Sequence, residues 1–128
     1  MKINHTNIRA KNINLHDYGL KGHNFKINPK YYKKITKLEN DSYRLELFID
    51  IKNTKENPFP IDLSVDFETT FSFADYESDD EIKKFLNINA VQMIFPFMRS
   101  AINSVVSSAL LPPLVLPIID VRQFKEKI

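Results

Sequence analysis

The sequence contains no cysteine and no tryptophan, and only two of its 128 residues are glycine. Without cysteine, the chain cannot form disulfides, thiolate zinc sites or a cysteine nucleophile. Two glycines are too few for a loop that cradles phosphate through converging backbone amides. Gly19 and Gly22 lie close together and instead predict a loop between Tyr18 and Phe25.

Long uninterrupted apolar runs are also missing. The longest apolar stretch, residues 91–119, is broken by Arg99, Asn103 and four prolines, which makes it a poor membrane span. The first five residues lack the apolar core of a signal peptide. These features predict a cytoplasmic protein.

The residues that could carry chemistry do not form a recognisable site. Three histidines occur early in the chain without the spacing of a metal pair: His5, His16 and His23. Asp62, Asp66 and Glu68 share one face of a predicted strand, where alternation with apolar residues is typical of a solvated face. We therefore predict no catalytic residues, no metal site and no cofactor, and a protein that is not an enzyme.

Aromatic residues are plentiful, with ten phenylalanines and five tyrosines. A chain of 128 residues is one domain by the usual length, and it buries only about two-thirds of the surface of its unfolded form. So much large apolar surface favours an oligomer, in which part of that surface is covered by a neighbouring copy.

Alternation of apolar and polar residues with a period of two predicts antiparallel strands with one buried face. The clearest strands cover residues 43–51 and 61–73, separated by a polar turn with two prolines. Residues 3–15 predict an earlier strand, with a bulge near Lys11 where the alternation changes phase. Residues 29–38 predict a weaker strand, which ends in a turn.

The pattern becomes helical after residue 76. A capping box at Ser78 predicts a short helix through Leu86, and residues 91–109 predict a longer helix that Pro96 either begins or kinks. A second capping box at Asp120 predicts a short last helix that includes Ile128. We predict one α+β domain over residues 1–128, with a four-stranded antiparallel sheet in residues 1–76 and helices in residues 78–128.

Charge is unevenly distributed although the net charge is only +2. Residues 1–40 carry nine Lys and Arg against two Asp and Glu, whereas residues 41–90 carry five against twelve. The asymmetry favours strands that attract each other within one sheet. The alternative is a nucleic-acid-binding surface, since residues 30–37 interleave tyrosines with lysines.

The most unusual stretch is the crossover segment, residues 110–119, which is entirely apolar yet contains three prolines. Proline excludes a helix and removes donors from any sheet pairing, so the backbone should be extended. The segment either covers the core of the domain or lines a groove for an extended apolar peptide.

The sequence around this segment resembles the SecB protein-export chaperones. The resemblance rests on the motif IFPFMR at residues 94–99, on Ile102 and Ser104, and on residues 111–120. Phe71-Ser72-Phe73 also resembles the end of the last strand in that family. The strands before it match in order and spacing.

The resemblance implies a four-stranded antiparallel sheet, a short helix, a long helix, a proline-rich crossover loop and a short C-terminal helix. It implies a dimer of dimers whose long helices form the core of the assembly, and ATP-independent binding of non-native preproteins in hydrophobic grooves. The groove residues implied here are Leu110, Leu111, Leu114, Leu116, Ile118, Ile119, Val121, Phe124 and Phe97. The implied oligomer interface contains Phe95, Met98, Ile102, Val105, Ser104 and Ser108.

The resemblance offers two partners besides unfolded clients, a SecA-type translocase motor and an antitoxin. Export members are strongly acidic and carry a C-terminal tail that contacts SecA, whereas this sequence is slightly basic and ends at Ile128. We therefore expect client holding rather than delivery to SecA. Two alternatives stay open: a dedicated chaperone of one partner, and a structural subunit that uses the crossover segment for self-association.

Overall fold

A computed structural model describes residues 1–22 and 24–127 of the chain. His23, considered above as a ligand, and Ile128, predicted on the last helix, lie outside the described residues. Within the described residues, five strands precede one long helical region and one strand follows it. The strands are β1 (Lys2–His5), β2 (Arg9–Asp17), β3 (Lys30–Lys37), β4 (Ser42–Ile51), β5 (Ile61–Ala74) and β6 (Lys125–Glu126). The helical elements are α1 (Asp79–Lys84), a π-helical turn (Phe85–Asn89), α2 (Ala90–Ser108) and a 3₁₀ turn (Val121–Gln123).

The predicted sheet is confirmed, but it has six strands rather than four. Their order is β1-β5-β4-β3-β6, with β2 beside β1 on the same edge of β5, and β6 pairs in parallel rather than antiparallel. The first predicted strand is divided into β1 and β2. At the division, the Thr6 amide still donates to the Thr70 carbonyl at 2.9 Å, but the Thr70 amide donates to the Thr6 side-chain Oγ1, at 3.0 Å, in place of a backbone carbonyl. A register shift between Ala10 and Asn12 confirms the predicted bulge at Lys11.

The core lies between one face of the sheet and the helical region. The apolar residues that alternate along β4 and β5 all point into it, from Leu45 to Ile51 and from Ile61 to Phe73. On the helical side, all the buried positions except Val91 recur every four residues: Ile82, Leu86, Ala90, Ile94, Met98, Ile102 and Val106. This burial holds the helical region flat against the sheet.

The two predicted helices are in fact one continuous helical region over residues 79–108. On an ideal α-helix, two residues four positions apart point in directions that differ by about 40°, because each turn contains about 3.6 residues. The wider π turn at Phe85–Asn89 corrects part of this difference and keeps the apolar side on the sheet. No proline or glycine stands between Leu86 and Val91 to end the helix. Pro96 lies inside α2 and does not begin it.

The predicted last helix is wrong beyond its first turn. The capping box at Asp120 is present, with Gln123 accepting from the Asp120 amide at 2.9 Å, but the 3₁₀ turn ends at Gln123. Phe124 then adopts an extended backbone, and β6 pairs in parallel with β3. The open edge of β3 provides hydrogen bonds that a continued helix could not use, including one from the Lys127 amide to the Lys33 carbonyl at 2.8 Å.

The uneven charge is explained by the outer face of the sheet. Basic residues on β2 flank acidic residues on the central strands: Arg9 donates to Glu68 at 2.8 Å and Lys11 donates to Glu46 at 3.3 Å. From the other side, Lys34 on β3 lies opposite Glu46 in the strand register. The structure thus supports attraction within one sheet as the reason for the asymmetry.

Candidate functional site

The crossover segment begins at a strained helix end. Leu111 donates its amide to the Val106 carbonyl at 3.1 Å and Leu110 donates to Ser107 at 3.0 Å, which is the pattern of a Schellman cap. The residue between cap and loop in this motif takes a left-handed conformation that normally favours glycine. Here it is Leu110, with φ of +61°. A left-handed leucine costs about 1–2 kcal/mol relative to a helical backbone.

Beyond this cap the segment is extended and makes few hydrogen bonds. Among the described residues, no backbone hydrogen bond outside regular elements joins residues 112–119 to the rest of the chain. Prolines account for three of these eight positions. The segment is therefore held by its side chains, and its remaining amides and carbonyls are free to face solvent or a ligand.

The apolar side chains in the crossover segment and just after it divide into three groups by exposure. Leu110, Val115 and Ile118 are 92%, 79% and 96% exposed, whereas Leu116 is only 6% exposed. Leu111, Leu114, Ile119 and Val121 are half-buried, and Phe124 is 2% exposed. Of the nine residues assigned to the groove, Leu116 and Phe124 are therefore buried, whereas Leu110, Ile118 and Phe97 are exposed.

Two cavities lie on either side of the crossover segment. The first cavity, of 370 Å³, lies against α2 and is lined by Arg99, Asn103, Ser107, Leu111, Pro113, Leu114, Val115 and Leu116. The second cavity, of 620 Å³, lies toward the sheet and falls within the usual size of ligand sites, about 300–1,000 Å³. Leu111, Pro113, Leu114 and Val115 line both. The crossover segment is thus a thin wall with open space on each side.

The far wall of the second cavity is the loop between β2 and β3, which the sequence analysis did not assign to the site. Leu20, Phe25 and Ile27 line the cavity from this loop, and Phe25 packs edge-on against Phe59 with ring centroids 6.5 Å apart. Gly19, with φ of +67°, lets the loop turn over the cavity. The two glycines were the available signal, because they place a turn beside three apolar residues.

An aromatic cluster supports the first cavity from inside the domain. Phe124 lies 5.2 Å from Tyr31 and 5.9 Å from Phe95, measured between ring centroids. The guanidinium carbon of Arg99 lies 5.1 Å from the Phe95 ring, at cation–π distance. The Tyr31 hydroxyl is buried without a hydrogen-bond partner among the described residues. Burial raises its pKa, against which the charge of Arg99 acts.

The residues assigned to an oligomer interface do not share one surface. Met98 and Ile102 are fully buried within their own subunit, so they do not lie on the surface of α2. Ser104 and Ser108 are exposed on the opposite side of α2, and Phe95 and Val105 are half-buried between the two sides. Phe97, assigned to the groove, lines neither cavity and is 55% exposed.

Phe97 belongs to an exposed stripe along α2 that we call the outer stripe: Met93, Phe97, Ser100, Ser104 and Ser108. These positions follow helical spacing and contain no charge. Arg99 is the only charged residue in all of α2. A surface helix normally shows charged residues on its solvent side, so the outer stripe is unusual for a side that faces water.

The polar residues considered for chemistry lie on the outer face of the sheet. Burial, and next the charge of Glu46, raises the pKa of Asp66 to about 6. Asp62 is held differently: the Tyr18 hydroxyl donates to it at 2.5 Å, which lowers the pKa of this carboxyl. Among residues 1–22 and 24–127, no three His, Asp or Glu side chains are grouped as a metal site.

The described helices include none that combines the length and apolar character needed to span a membrane.

Comparison with known proteins agrees with this architecture. A protein-export protein SecB from Anaplasma phagocytophilum is 34% identical over 87 residues, which is 66% of this chain and 55% of that protein. An uncharacterized protein from Methanocaldococcus jannaschii is 36% identical over 62 residues, 48% of this chain and 39% of the other. The matches thus span about half the length of these curated relatives, or less.

Among solved structures, a SecB-like chaperone of Mycobacterium tuberculosis in complex with a peptide from an antitoxin has the same fold, with a TM-score of 0.69. The two are 13% identical, and the superposition covers 92% of this chain and 91% of the other. The family model described as preprotein translocase subunit SecB matches residues 12–127, which is nearly the whole sequence. The chain therefore belongs to the SecB family.

Proposed function

We propose that this protein is an ATP-independent chaperone that holds unfolded polypeptides along its crossover segment. The observation that carries the proposal is the exposure of Leu110, Val115 and Ile118 on one short stretch. Burying one aliphatic side chain of this size is worth about 1.5–3 kcal/mol, so leaving three in water is unfavourable unless a ligand covers them.

The strain at Leu110 supports the same proposal. Glycine at this helix end would remove the left-handed cost and one exposed apolar side chain together. Strain retained at one position, with the side chain pointing into water, is typical of a binding site. We place Leu110 at the entrance to the groove, where the helix ends and the extended wall begins.

The groove we propose consists of the two cavities, the part of the crossover segment between them, and the end of that segment at Ile118 and Ile119, which lines neither cavity. Leu111, Leu114, Val115, Ile118 and Ile119 would contact client side chains, and Leu20 and Phe25 would extend the surface toward the loop between β2 and β3. Contacts of this kind are apolar and non-directional, so they would give breadth of clients rather than recognition of one sequence. Leu116 and Phe124 hold the wall in place from the core side.

We further propose that the outer stripe mediates self-association, in a dimer of dimers as the family resemblance implies. Small serine side chains at positions 100, 104 and 108 allow a second helix to approach closely, and Met93 and Phe97 supply apolar contact at the other end. Without a partner, this side of α2 would leave Phe97 exposed for no structural gain. Met98 and Ile102, buried in the subunit, are not part of this proposed interface.

The test is suppression of aggregation of a chemically unfolded protein, without ATP, together with light scattering to obtain the assembly mass. We expect suppression by the wild-type chain and by Ile13→Ser, which changes an exposed isoleucine outside the groove. We expect Ile118→Ser to lose most of the suppression while keeping the wild-type mass. Suppression undiminished in Ile118→Ser would contradict the proposed groove.

Two other outcomes separate the alternatives. If Ile118→Ser dissociates the assembly, the crossover segment serves self-association and the holding proposal fails. If the folded assembly suppresses no aggregation, general holding fails, and a dedicated partner becomes the better explanation. The relative solved with an antitoxin peptide makes an unstable antitoxin the first such partner to test, ahead of a SecA-type motor.

A further inference from the structure

The first cavity has two walls of opposite character. On the α2 side, Arg99, Asn103 and Ser107 follow one another at intervals of four residues. On the crossover side, Leu111, Leu114 and Leu116 present aliphatic carbon. A peptide lying between these walls meets polar groups on one side and apolar groups on the other along its whole length.

The spacing of the polar wall matches that of an extended chain. Residues four apart on an α-helix are separated by about 6 Å along its axis. Alternate residues of an extended strand, which point to the same side, are separated by about 6.5 Å. Every second side chain of an extended client can therefore face Arg99, Asn103 and Ser107 in turn, and the intervening ones face the leucines.

The polar wall also carries one unbalanced charge. Among the residues that the structure describes, Arg99 is the only charged one that lines the first cavity. The ion pairs among the described residues join Lys2, Arg9, Lys11 and Arg122 to carboxylates, and none of them involves Arg99. Its guanidinium lies over the Phe95 ring, which holds the charge at the cavity without neutralising it.

We propose that the first cavity selects extended client segments in which apolar and polar residues alternate, with an acidic side chain facing Arg99. The inference rests on the proposed holding function and names the clients that this part of the groove prefers. The Arg99 guanidinium can donate two parallel hydrogen bonds to a client carboxylate, and a lysine or glutamine side chain of the client cannot accept such a pair.

The experiment uses nine-residue fluorescent peptides with blocked ends, in which leucine alternates with serine and the central polar position is Glu, Gln or Lys. Binding to the full chain is followed by fluorescence anisotropy. We expect the Glu peptide to bind about tenfold more tightly than the Lys peptide, with the Gln peptide between them. A peptide of the same composition with its leucines in one block should bind more weakly than the alternating Glu peptide.

Variants of the chain test whether Arg99 is responsible. Arg99→Gln should bring the three alternating peptides to similar affinity, and Arg99→Glu should reverse their order. Arg122→Gln is the matched control, since Arg122 is exposed, paired with Asp120 and outside both cavities, and it should leave the order unchanged. Melting temperatures of the variants show whether each is folded.

Failure of this inference can be told apart from failure of the proposed function. If Glu, Gln and Lys peptides bind the wild-type chain equally, or if the order persists in Arg99→Glu, the acidic preference is overturned while holding stands. If the peptide with its leucines in one block binds as tightly as the alternating Glu peptide, the preference for alternating segments is overturned. If no leucine-containing peptide binds and aggregation is not suppressed, the holding function itself fails.

Discussion

Replacement of Phe124 by alanine tests how the C-terminal segment and the groove above it are supported. Phe124 is 2% exposed, and its ring contacts Tyr31 and Phe95 at centroid distances of 5.2 and 5.9 Å. Removing a buried phenylalanine side chain costs about 3–5 kcal/mol, as lost transfer energy and a residual cavity. Since small domains are stable by only about 5–15 kcal/mol, this is a large share of the total.

The measurement is equilibrium unfolding in urea, followed by circular dichroism at fixed protein concentration because assembly would couple to stability. We expect Phe124→Ala to lower the unfolding free energy by about 3–5 kcal/mol without changing its dependence on urea. Ile118→Ala is the control. Its side chain is 96% exposed, so the change should stay within about 0.5 kcal/mol.

The two variants together test the division of the groove into exposed and buried residues. A Phe124→Ala protein as stable as the wild type would refute the burial described for this ring and the docking of β6. A loss in Ile118→Ala equal to that in Phe124→Ala would show that Ile118 belongs to the core, and would refute its assignment to the exposed residues of the groove.

Three further changes test other parts of the structure. Leu110→Gly should raise the unfolding free energy by about 1 kcal/mol, because glycine adopts the left-handed conformation without strain, and it should weaken aggregation suppression. A lower unfolding free energy in urea would contradict the strain assigned to Leu110. The raised pKa of Asp66 means that its contribution to stability is present below about pH 4 and is lost as pH rises through about 6. Asp66→Asn should therefore stabilise the chain more at pH 7.5 than at pH 4.5 in urea unfolding, and an equal effect at both would exclude this origin. Ser104→Glu, on the outer stripe, should reduce the assembly mass found by light scattering while the circular dichroism spectrum stays native. Lys84→Glu is the exposed control and should keep the wild-type mass, and an unchanged mass in Ser104→Glu would place the interface elsewhere.

The strands and the extended crossover segment could be predicted because their signals are local. In β4 and β5 each side chain lies on the face opposite to that of its neighbour, so alternation along one stretch identifies both the strand and its buried side. Proline restricts its own backbone and removes a donor wherever the chain goes, so residues 110–119 could not form a helix. The capping box at Asp120 could be predicted for the same reason, since its hydrogen bonds join residues no more than three positions apart.

Features that depend on distant partners could not be predicted in this way. In place of the predicted last helix there is a 3₁₀ turn and a strand, because Phe124 packs against Tyr31 and β6 pairs with the open edge of β3. Tyr31 and β3 lie about ninety residues earlier in the sequence. The helical region over residues 79–108 is continuous because its apolar side packs on the sheet along its length. The π turn at Phe85–Asn89 keeps that side facing the sheet.

The same limit applies to the site. An apolar, extended segment after a long helix could be inferred from residues 110–119 alone, because composition and proline geometry are properties of the segment itself. That Ile118 faces water while Leu116 is buried depends on the fold, since the sheet and α2 cover one side of the segment. The fold also places Arg99 and the loop containing Leu20 along cavities beside the crossover segment, which neither of them adjoins in sequence.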